Sequence, residues 1–181
     1  MLLINVPDLT YPTRVKMKAA RFHDNHDIRI DDIDEPIPKD GEALIDIEWA
    51  GICGSDLHEY LIGPQMIPSS KTGPHSITGE TIPITFGHEF CGRVSKAPAG
   101  STKLKKGQAV MVDPRINCRT CTQCSSGSSN ICPQWGFLGL HAGGGFAEKC
   151  VVDERMCHPL PDDFPLANAA LIEPLAVFAS L

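Results

Sequence analysis

Half of the eight cysteines in this 181-residue chain lie in one short loop, CRTCTQCSSGSSNIC, at residues 118–132. Cys118, Cys121 and Cys124 are each separated by two residues, and Cys132 follows them. A two-residue gap lets neighbouring thiolates face one ion, and four thiolates complete the tetrahedral coordination of zinc. Because that set leaves no position open, we expect a structural zinc that contributes folding free energy and no chemistry. Disulfides and unrelated surface thiols are the alternatives.

The overall charge argues against a nucleic-acid partner. The formal net charge is −6 and no basic stripe is present, whereas nucleic-acid-binding domains usually carry a basic surface. A zinc ribbon is disfavoured for the same reason, and because the cysteines do not form two separate knuckles. We interpret Lys103, Lys105 and Lys106 as a solvated turn.

Neither a membrane span nor a secretory leader is predicted. No apolar run approaches the roughly 20 residues that a spanning helix needs. The first residues also lack a basic segment followed by a long apolar one. We therefore predict a cytoplasmic protein with no membrane partner, in which thiols stay reduced and clustered cysteines indicate a metal.

Most of the chain has the pattern of short β-strands. In EALIDIEWA, at residues 42–50, Ile45, Ile47 and Trp49 alternate with polar positions, which is typical of a half-buried strand with these three on one face. Similar segments, bounded by glycine or proline, lie at 90–97, 107–114 and 145–152. Residues 63–85 are rich in Pro, Ser, Thr and Gly and predict a surface loop, and residues 1–16 predict an extension.

The only helical pattern is at the end of the chain, over residues 165–181. Pro174 is predicted to break or kink this helix at Glu173. From Leu175 to Leu181 the sequence is apolar all round, and such a helix is normally buried on every side. We therefore expect its covering partner to be missing from this chain.

A second group of polar residues occurs in GICGSDLHEY at 51–60 and FGHEFCG at 86–92. It comprises a thiol between glycines and, far along the chain, a His-Glu pair. These residues alone leave two readings open, a metal site or a partly buried cysteine with a hydrogen-bonded histidine. The presence of the four-cysteine loop favours the first.

From about Met17 to Leu181 the chain resembles the zinc-dependent medium-chain alcohol and polyol dehydrogenases. The shared text is GICGSDLHEY, GHEFCGRV, the cysteine loop followed by FLGLHAGGGFAE, and IEPLAV. The 2,3-butanediol dehydrogenase branch is most similar, followed by sorbitol and threonine dehydrogenases. The resemblance implies a mainly β, GroES-like β-barrel catalytic domain over residues 17–164, with its structural zinc lobe at 113–135. The helix at 165–181 would then lead to a Rossmann nucleotide-binding domain that is absent from this chain.

The resemblance also implies the ligands of a catalytic zinc. Cys53 and His88 would bind it, and the family variant with EPLAV supplies Glu173 as a third ligand. Glu89 would lie beside the metal, as an occasional ligand or as a carboxylate that adjusts ligand exchange. Whether Glu89 or Glu173 is the third protein ligand stays open.

Three further roles follow from the same resemblance. Asp56 would accept a hydrogen bond from the His88 ring and so fix its tautomer. Ser55 would bond the substrate hydroxyl, and His58 would pass the proton to solvent as general-base work near neutral pH.

The implied activity is that of a zinc-dependent oxidoreductase that oxidises a secondary alcohol or diol, such as 2,3-butanediol or a polyol, with NAD(P). The G-x-G-x-x-G fingerprint of nucleotide binding is absent from the sequence, so no cofactor-binding residue is predicted and the chain alone is expected to be inactive. The family is homo-oligomeric. The alternative is a non-catalytic zinc-binding or interaction module that keeps the fold.

Six other residues are given structural interpretations. His23 and His26 are predicted to be exposed turn residues, and His141 a packing or loop residue. The remaining cysteines outside the two groups are interpreted as small core side chains, namely Cys91, Cys150 and Cys157.

Overall fold

A computed structural model describes residues 15–179, which form a mainly antiparallel β fold. The predicted extension over residues 1–16 falls almost wholly outside the described residues. The first sheet has three strands, β1 (Lys16–Asp24), β2 (Asp27–Asp34) and β4 (Ile84–Thr85). Their order in the sheet is β2-β1-β4.

The second sheet is the body of the fold. Its five strands are β3 (Glu42–Gly51), β5 (Glu89–Lys96), β6 (Ala109–Val112), β9 (Lys149–Asp153) and β10 (Cys157–Pro159). Their order is β10-β6-β5-β3-β9, and every pair of neighbouring strands is antiparallel. A two-stranded ribbon, β7 (Arg115–Ile116) with β8 (Gly136–Phe137), carries the cysteine loop between its strands.

The predicted strands are confirmed at β3, β5 and β6, and the segment at 145–152 overlaps β9. The face prediction for β3 is wrong at one residue. Ile45 is fully buried, but Trp49 is 53% exposed. The register shifts between Ile47 and Trp49 where β3 pairs with β5. Such a bulge turns the following side chains away from the alternation expected of a regular strand.

A helix that the sequence pattern did not predict, α1 (Gly54–Ile62), follows β3. Its buried side chains are carboxylates, Asp56 and Glu59, while Leu57 and Leu61 are exposed. A helix whose buried face is acidic has no apolar stripe at helical spacing, so the hydrophobic pattern does not indicate it. The carboxylate of Asp56 accepts the backbone N–H of Cys53 at 3.0 Å and so caps the helix start.

The predicted C-terminal helix is present as two helices. Its break falls at residues 170–171, ahead of Glu173, and Pro174 lies in the first turn of the second helix, where a missing N–H is tolerated. Leu175 and Phe178 are 60% and 75% exposed. Among residues 15–179, no helix is long and apolar enough to cross a membrane. The remaining helices are α2 (Thr122–Ser125), α3 (Leu166–Ala169) and α4 (Ile172–Ala179).

Two of the three apolar clusters in residues 15–179 pack against the two larger sheets as follows. Phe90, Val94 and Val110 are buried in the cluster of the five-stranded sheet. Phe22 stacks on Phe86 at a centroid distance of 5.1 Å in the cluster of the smaller sheet. Each such side chain contributes roughly 1.5–3 kcal/mol on burial. Ile67 and Ile84 anchor the predicted loop 63–85 in the second cluster, and the cysteines predicted to be core residues are indeed buried: Cys91, Cys150 and Cys157.

Two histidines near the N-terminus differ from one another. His26 is an exposed residue of the turn between β1 and β2, as predicted, with a left-handed φ of 57°. The same prediction is wrong for His23, which lies in β1 with its Nε2 2.7 Å from Asp31 Oδ2 of β2. The lysines predicted to be solvated are exposed: Lys103, Lys105 and Lys106.

Close packing in the central strand predicts a destabilising substitution. A Cβ added at Gly92 in β5 would lie 2.0 Å from the carbonyl oxygen of Asp46 in β3. We expect Gly92→Ala to lower the free energy of unfolding by about 2 kcal/mol, since the paired strands must separate. Urea denaturation measures this loss. A Cβ at Gly143 would meet no atom within 4 Å, so Gly143→Ala is the control, and equal losses in the two variants would contradict the packing argument.

Candidate metal centres

The four cysteines of the loop at 118–132 converge on one point. Their sulfur atoms all lie within 4.8 Å of one another. The sulfur of Cys132 is 3.5 Å from that of Cys118 and 3.9 Å from that of Cys121. A tetrahedral zinc with Zn–S bonds of about 2.3 Å places its sulfurs about 3.8 Å apart, whereas a disulfide needs about 2.05 Å. The donor set therefore fits a zinc ion and excludes disulfides in this geometry.

The backbone of the loop favours the thiolate of Cys118, whereas burial raises the pKa of Cys124 to about 12. The sulfur of Cys132 accepts the N–H of Cys118 at 3.5 Å, and that of Cys121 accepts the N–H of Cys124 at 3.4 Å. Backbone N–H groups of Thr120 and Cys121 lower the pKa of Cys118 to about 6. Hydrogen bonds of this kind stabilise the thiolate, which is the form that binds a metal.

A second group of donors forms where β3 ends and β5 begins. The sulfur of Cys53, a ring nitrogen of His88 and a carboxylate oxygen of Glu89 all lie within 4.8 Å of one another. Gly51, the last residue of β3, pairs with Glu89, the first residue of β5. Antiparallel pairing therefore brings together donors that are more than thirty positions apart in the sequence.

The glycine in that pair makes room for the carboxylate. A Cβ at position 51 would lie 2.3 Å from Oε2 of Glu89. Any larger residue would push the Glu89 side chain away from the sulfur and the imidazole. Gly51 is thus a requirement of the site that metal-ligand spacing alone does not reveal.

The ring of His88 is held between two side chains of α1. Its Nδ1 lies 3.5 Å from Oδ1 of Asp56, and its Nε2 lies 3.2 Å from Oγ of Ser55. Both Nδ1 and Oδ1 are buried, and neither makes a hydrogen bond within residues 15–179. Asp56 therefore faces the Nδ1 side, which leaves Nε2 toward Ser55 and the other donors.

Burial governs the protonation of this pair. It lowers the pKa of His88, against the opposing charge of Glu89, so the neutral imidazole that binds metals is favoured. Burial also raises the pKa of Asp56 to about 6, opposed by backbone N–H groups of Cys53 and Gly87. Burial of this pair therefore disfavours the charged form of each group.

Two predicted residues lie apart from this group. Glu173, at the start of α4, is not among the donors within 4.8 Å of one another in the described residues. Burial first, and the negative charge of Glu89 next, raise the pKa of Glu173, which indicates that the two carboxyls share one environment. His58 is exposed on α1, three residues after Ser55 and so on the same side of the helix.

Other residues around the centre were given no role from the sequence. Glu59, also on α1, is fully buried and accepts the N–H groups of Gln65 at 2.9 Å and Met66 at 2.8 Å. It ties the start of the long loop to the helix. A buried carboxylate carries no periodic signal, so only its place in the HEY segment could have suggested it.

A row of aromatic rings leads away from His88. Phe137 of β8 meets the His88 ring edge-on at 6.3 Å and the Trp135 ring at 5.6 Å. His141 lies 5.4 Å from Trp135 and 4.8 Å from His75, between ring centroids. The packing or loop role predicted for His141 is confirmed, because it is buried and its Nδ1 accepts the N–H of Phe137 at 3.1 Å.

The family profile described as Alcohol dehydrogenase GroES-like domain matches residues 39–162. The chain belongs to this alcohol dehydrogenase family. The family predicted from the sequence motifs and the GroES-like fold are both confirmed. The matched segment lies inside the predicted domain at 17–164, whose exact boundaries stay a prediction.

Two curated relatives of this chain are butanediol dehydrogenases. The chain is 48% identical over 162 residues to (R,R)-butanediol dehydrogenase of Bacillus subtilis, covering 89% of this chain and 45% of the relative. It is 41% identical over 179 residues to (R,R)-butanediol dehydrogenase of Saccharomyces cerevisiae, covering 89% and 46%. The chain thus spans less than half the length of these relatives.

Solved alcohol dehydrogenase structures agree. The crystal structure of 2R,3R-butanediol dehydrogenase from Bacillus subtilis matches with a TM-score of 0.82 and 46% identity, over 89% of this chain and 45% of that one. A zinc-binding dehydrogenase from Sinorhizobium meliloti, solved with NADP bound, matches with a TM-score of 0.77 and 32% identity, over 90% and 44%. Both neighbours are therefore dehydrogenases, and the second is described as zinc-binding.

The burial of His141 predicts a pH-dependent stability. Burial, aided by the charge of His75 and opposed by that of Glu59, lowers the pKa of His141 from 6.5 to about 4. The unfolded chain takes up the proton first, so the stability contributed by neutral His141 is complete above 6.5 and is lost as the pH falls toward 4. His141→Asn keeps an acceptor for the Phe137 N–H and removes the titration.

We expect the wild type to lose about 1–3 kcal/mol more unfolding free energy than His141→Asn between pH 7 and pH 4. Denaturation curves at a series of pH values measure the difference. His158→Asn, at an exposed position, is the matched control and should follow the wild type. Parallel curves for wild type and His141→Asn would contradict the burial argument.

Proposed function

We propose that this chain is the zinc-binding catalytic part of a medium-chain alcohol dehydrogenase that oxidises a secondary alcohol or diol. The substrate we favour is 2,3-butanediol, with polyols next, and NAD(P) is the hydride acceptor of the full protein. The observation that carries the proposal is the convergence of Cys53, His88 and Glu89 within 4.8 Å, with the Ser55 hydroxyl 3.2 Å from the imidazole. The butanediol dehydrogenases among its relatives support the choice of substrate.

The donors at this centre suit zinc. A thiolate, a neutral imidazole and a carboxylate are the ligand types of catalytic zinc sites, which keep one position open. Zinc bound there would supply a Lewis acid that lowers the pKa of a substrate hydroxyl. Cys53 and His88 are proposed as constant ligands. Glu89 is the better-placed carboxylate, and Glu173 is the proposed alternative because its pKa responds to the charge of Glu89.

Residues of α1 are proposed to move the substrate proton. Ser55 lies next to the imidazole and would hydrogen-bond the substrate hydroxyl, orienting it toward the donors. His58, exposed one helical turn later, would then carry the proton to solvent. Asp56 holds the ring of His88 from the opposite side and touches no substrate in this scheme.

The remaining features are proposed to serve the whole protein. The four-cysteine loop would hold a structural zinc that braces the β7–β8 ribbon. The exposed apolar face of α4 would contact the rest of a longer protein, since the chain covers 45% of a close relative's length. That longer protein is proposed to be cytoplasmic and homo-oligomeric, and the present chain to have little turnover alone.

Metal content tests the two-site proposal. We expect two zinc ions per purified chain, and one in Cys53→Ala, since this change removes a ligand of the proposed catalytic centre only. Cys118→Ser should lose the other ion and lower the unfolding temperature, because the loop then has three ligands. Atomic emission spectroscopy counts the metal. Cys157→Ala, a buried cysteine outside both groups, should keep two ions. One ion per wild-type chain would favour the non-catalytic zinc module.

Cobalt substitution tests alcohol binding without turnover. We expect 2,3-butanediol to change the visible absorption spectrum of the cobalt-loaded wild type and to leave that of Cys53→Ala unchanged. Added NAD⁺ should yield no NADH, because the described residues contain no parallel nucleotide-binding sheet. An unchanged wild-type spectrum would contradict the alcohol site. NADH formation would contradict only the proposal that the chain is inactive alone.

A further inference from the structure

A cavity of about 630 Å³ lies between the three-stranded sheet, the cysteine loop and β9, which is an edge strand of the larger sheet. This volume is within the range of small-molecule sites. None of the residues proposed for the zinc centre lines the cavity, so it is a separate part of the molecule. The residues that carry its chemistry are Ile33, Ile37, Ile77, Arg119, Asp153 and Arg155.

Several charged groups in the cavity wall are already neutralised. Burial raises the pKa of Glu80, against the N–H of Gly143 and the charge of Arg21, so the negative form of this carboxyl is disfavoured. Three basic residues of the wall pair with carboxylates outside it, and a paired cation attracts a free ion weakly. These pairs are Arg115–Asp113 at 2.6 Å, Lys149–Asp46 at 3.1 Å and Arg21–Asp31 at 3.8 Å.

The other charged residues of the wall leave a positive surplus around Asp153. Nη2 of Arg119 and Nη2 of Arg155 both donate to Oδ2 of Asp153, the latter at 3.3 Å. Nε of Arg155 also donates to Oδ1 at 2.9 Å. Glu42 lies opposite Asp153 in the β3–β9 pair, and Lys39 lines the same cavity. Three basic groups therefore face two carboxylates, which leaves one positive charge without a counterpart.

The two guanidinium groups also have unused donors. A guanidinium carries five N–H groups, and within residues 15–179 Arg119 uses one of them and Arg155 uses two. Both side chains are 55% exposed, so a ligand can reach them. The planar array of N–H groups on each arginine matches the two oxygens of a carboxylate. This part of the cavity therefore suits a carboxylate head group.

The rest of the wall includes aliphatic side chains that the protein leaves uncovered. Ile37, in the connection between β2 and β3, is 82% exposed, and Ile77, in the long loop, is 38% exposed. Ile33 of β2 is half-buried beside them in the same wall. An apolar ligand that covers such side chains gains free energy in proportion to the area removed from water. The wall therefore favours a ligand with an aliphatic body.

We propose that this cavity binds a small amphipathic carboxylate of about the size of octanoate, at a site separate from the zinc centre. Its carboxylate accepts hydrogen bonds from Arg119 and Arg155, and its aliphatic chain packs against Ile33, Ile37 and Ile77. The inference does not depend on the proposed oxidoreductase function, because none of these contacts involves the residues assigned to that function.

Isothermal titration calorimetry of the full chain with octanoate tests the site. We expect saturable binding of one octanoate per chain. Butanoate should bind about tenfold more weakly or worse, because it has four fewer methylene groups to bury. Octylammonium has the same aliphatic chain and the opposite charge, so it should show no saturable binding.

Substitutions in the wall separate the head group from the aliphatic body. Arg119→Gln and Arg155→Gln should each weaken octanoate binding about tenfold, as expected for the loss of hydrogen bonds between charged groups. Ile37→Ser should weaken it about fivefold, since less apolar area is covered. Arg29→Gln, at an exposed position of β2 outside the cavity, is the matched control and should leave binding unchanged. Circular dichroism and zinc content should stay those of the wild type in all four variants.

A carboxylate can also bind a zinc ion, so the zinc centre needs its own control. Cys53→Ala, which removes a proposed ligand of the catalytic zinc, should bind octanoate as the wild type does. Loss of binding in this variant would place octanoate at the zinc centre. That result would overturn the inference and leave the proposed oxidoreductase function untouched.

Three other results would also overturn the inference. The first is the absence of saturable octanoate binding, and the second is full affinity in both Arg119→Gln and Arg155→Gln. The third is equal affinity for inorganic phosphate and octanoate, which would assign the cavity to anions without an aliphatic body.

Discussion

The pairing of Gly51 with Glu89 is the contact on which the candidate catalytic centre depends. It joins the end of β3 to the start of β5. Cys53 follows Gly51 by two residues and His88 directly precedes Glu89, so this pairing brings the two donors close together. The missing side chain at position 51 gives the carboxylate its space. The apolar cluster beneath the five-stranded sheet fixes this register, because a slip by one residue would turn buried side chains to the solvent.

The two donor groups arise in different ways, and this decides how each could be recognised. The four cysteines are local, so the spacing of Cys118, Cys121 and Cys124 carries almost all of the information, and the short sulfur distances agree with it. The second group is built by strand pairing between distant segments. The residue types at positions 53 and 88 did not distinguish a metal site from a partly buried cysteine with a hydrogen-bonded histidine. The resemblance to a family was needed to assign the two residues to one site.

The sequence predicted the strands well where polar and apolar residues alternate, as in β3 and β5, and failed where another force decided the structure. Helix α1 was missed because hydrogen bonds, and not apolar contacts, face inward. Trp49 was placed on the wrong face because a bulge is invisible to a period-two pattern. His23 gave no sign of its partner Asp31, since a cross-strand pair depends on register. Trp135 lies in a loop whose shape no periodicity encodes.

The buried face of α1 consists of carboxylates and not of apolar side chains. This affects how firmly the helix is positioned. Apolar contacts have no preferred direction, so a helix held by them alone can shift or rotate slightly at a small cost in free energy. Hydrogen bonds weaken steeply as their angle departs from linearity. The carboxylate of Asp56 accepts the backbone N–H of Cys53 at the start of α1. The carboxylate of Glu59 accepts the backbone N–H groups of Gln65 and Met66 just after the end of the helix. Hydrogen bonds therefore fix both ends of the helix. The orientation of the Ser55 hydroxyl is better defined as a result than apolar packing alone would make it.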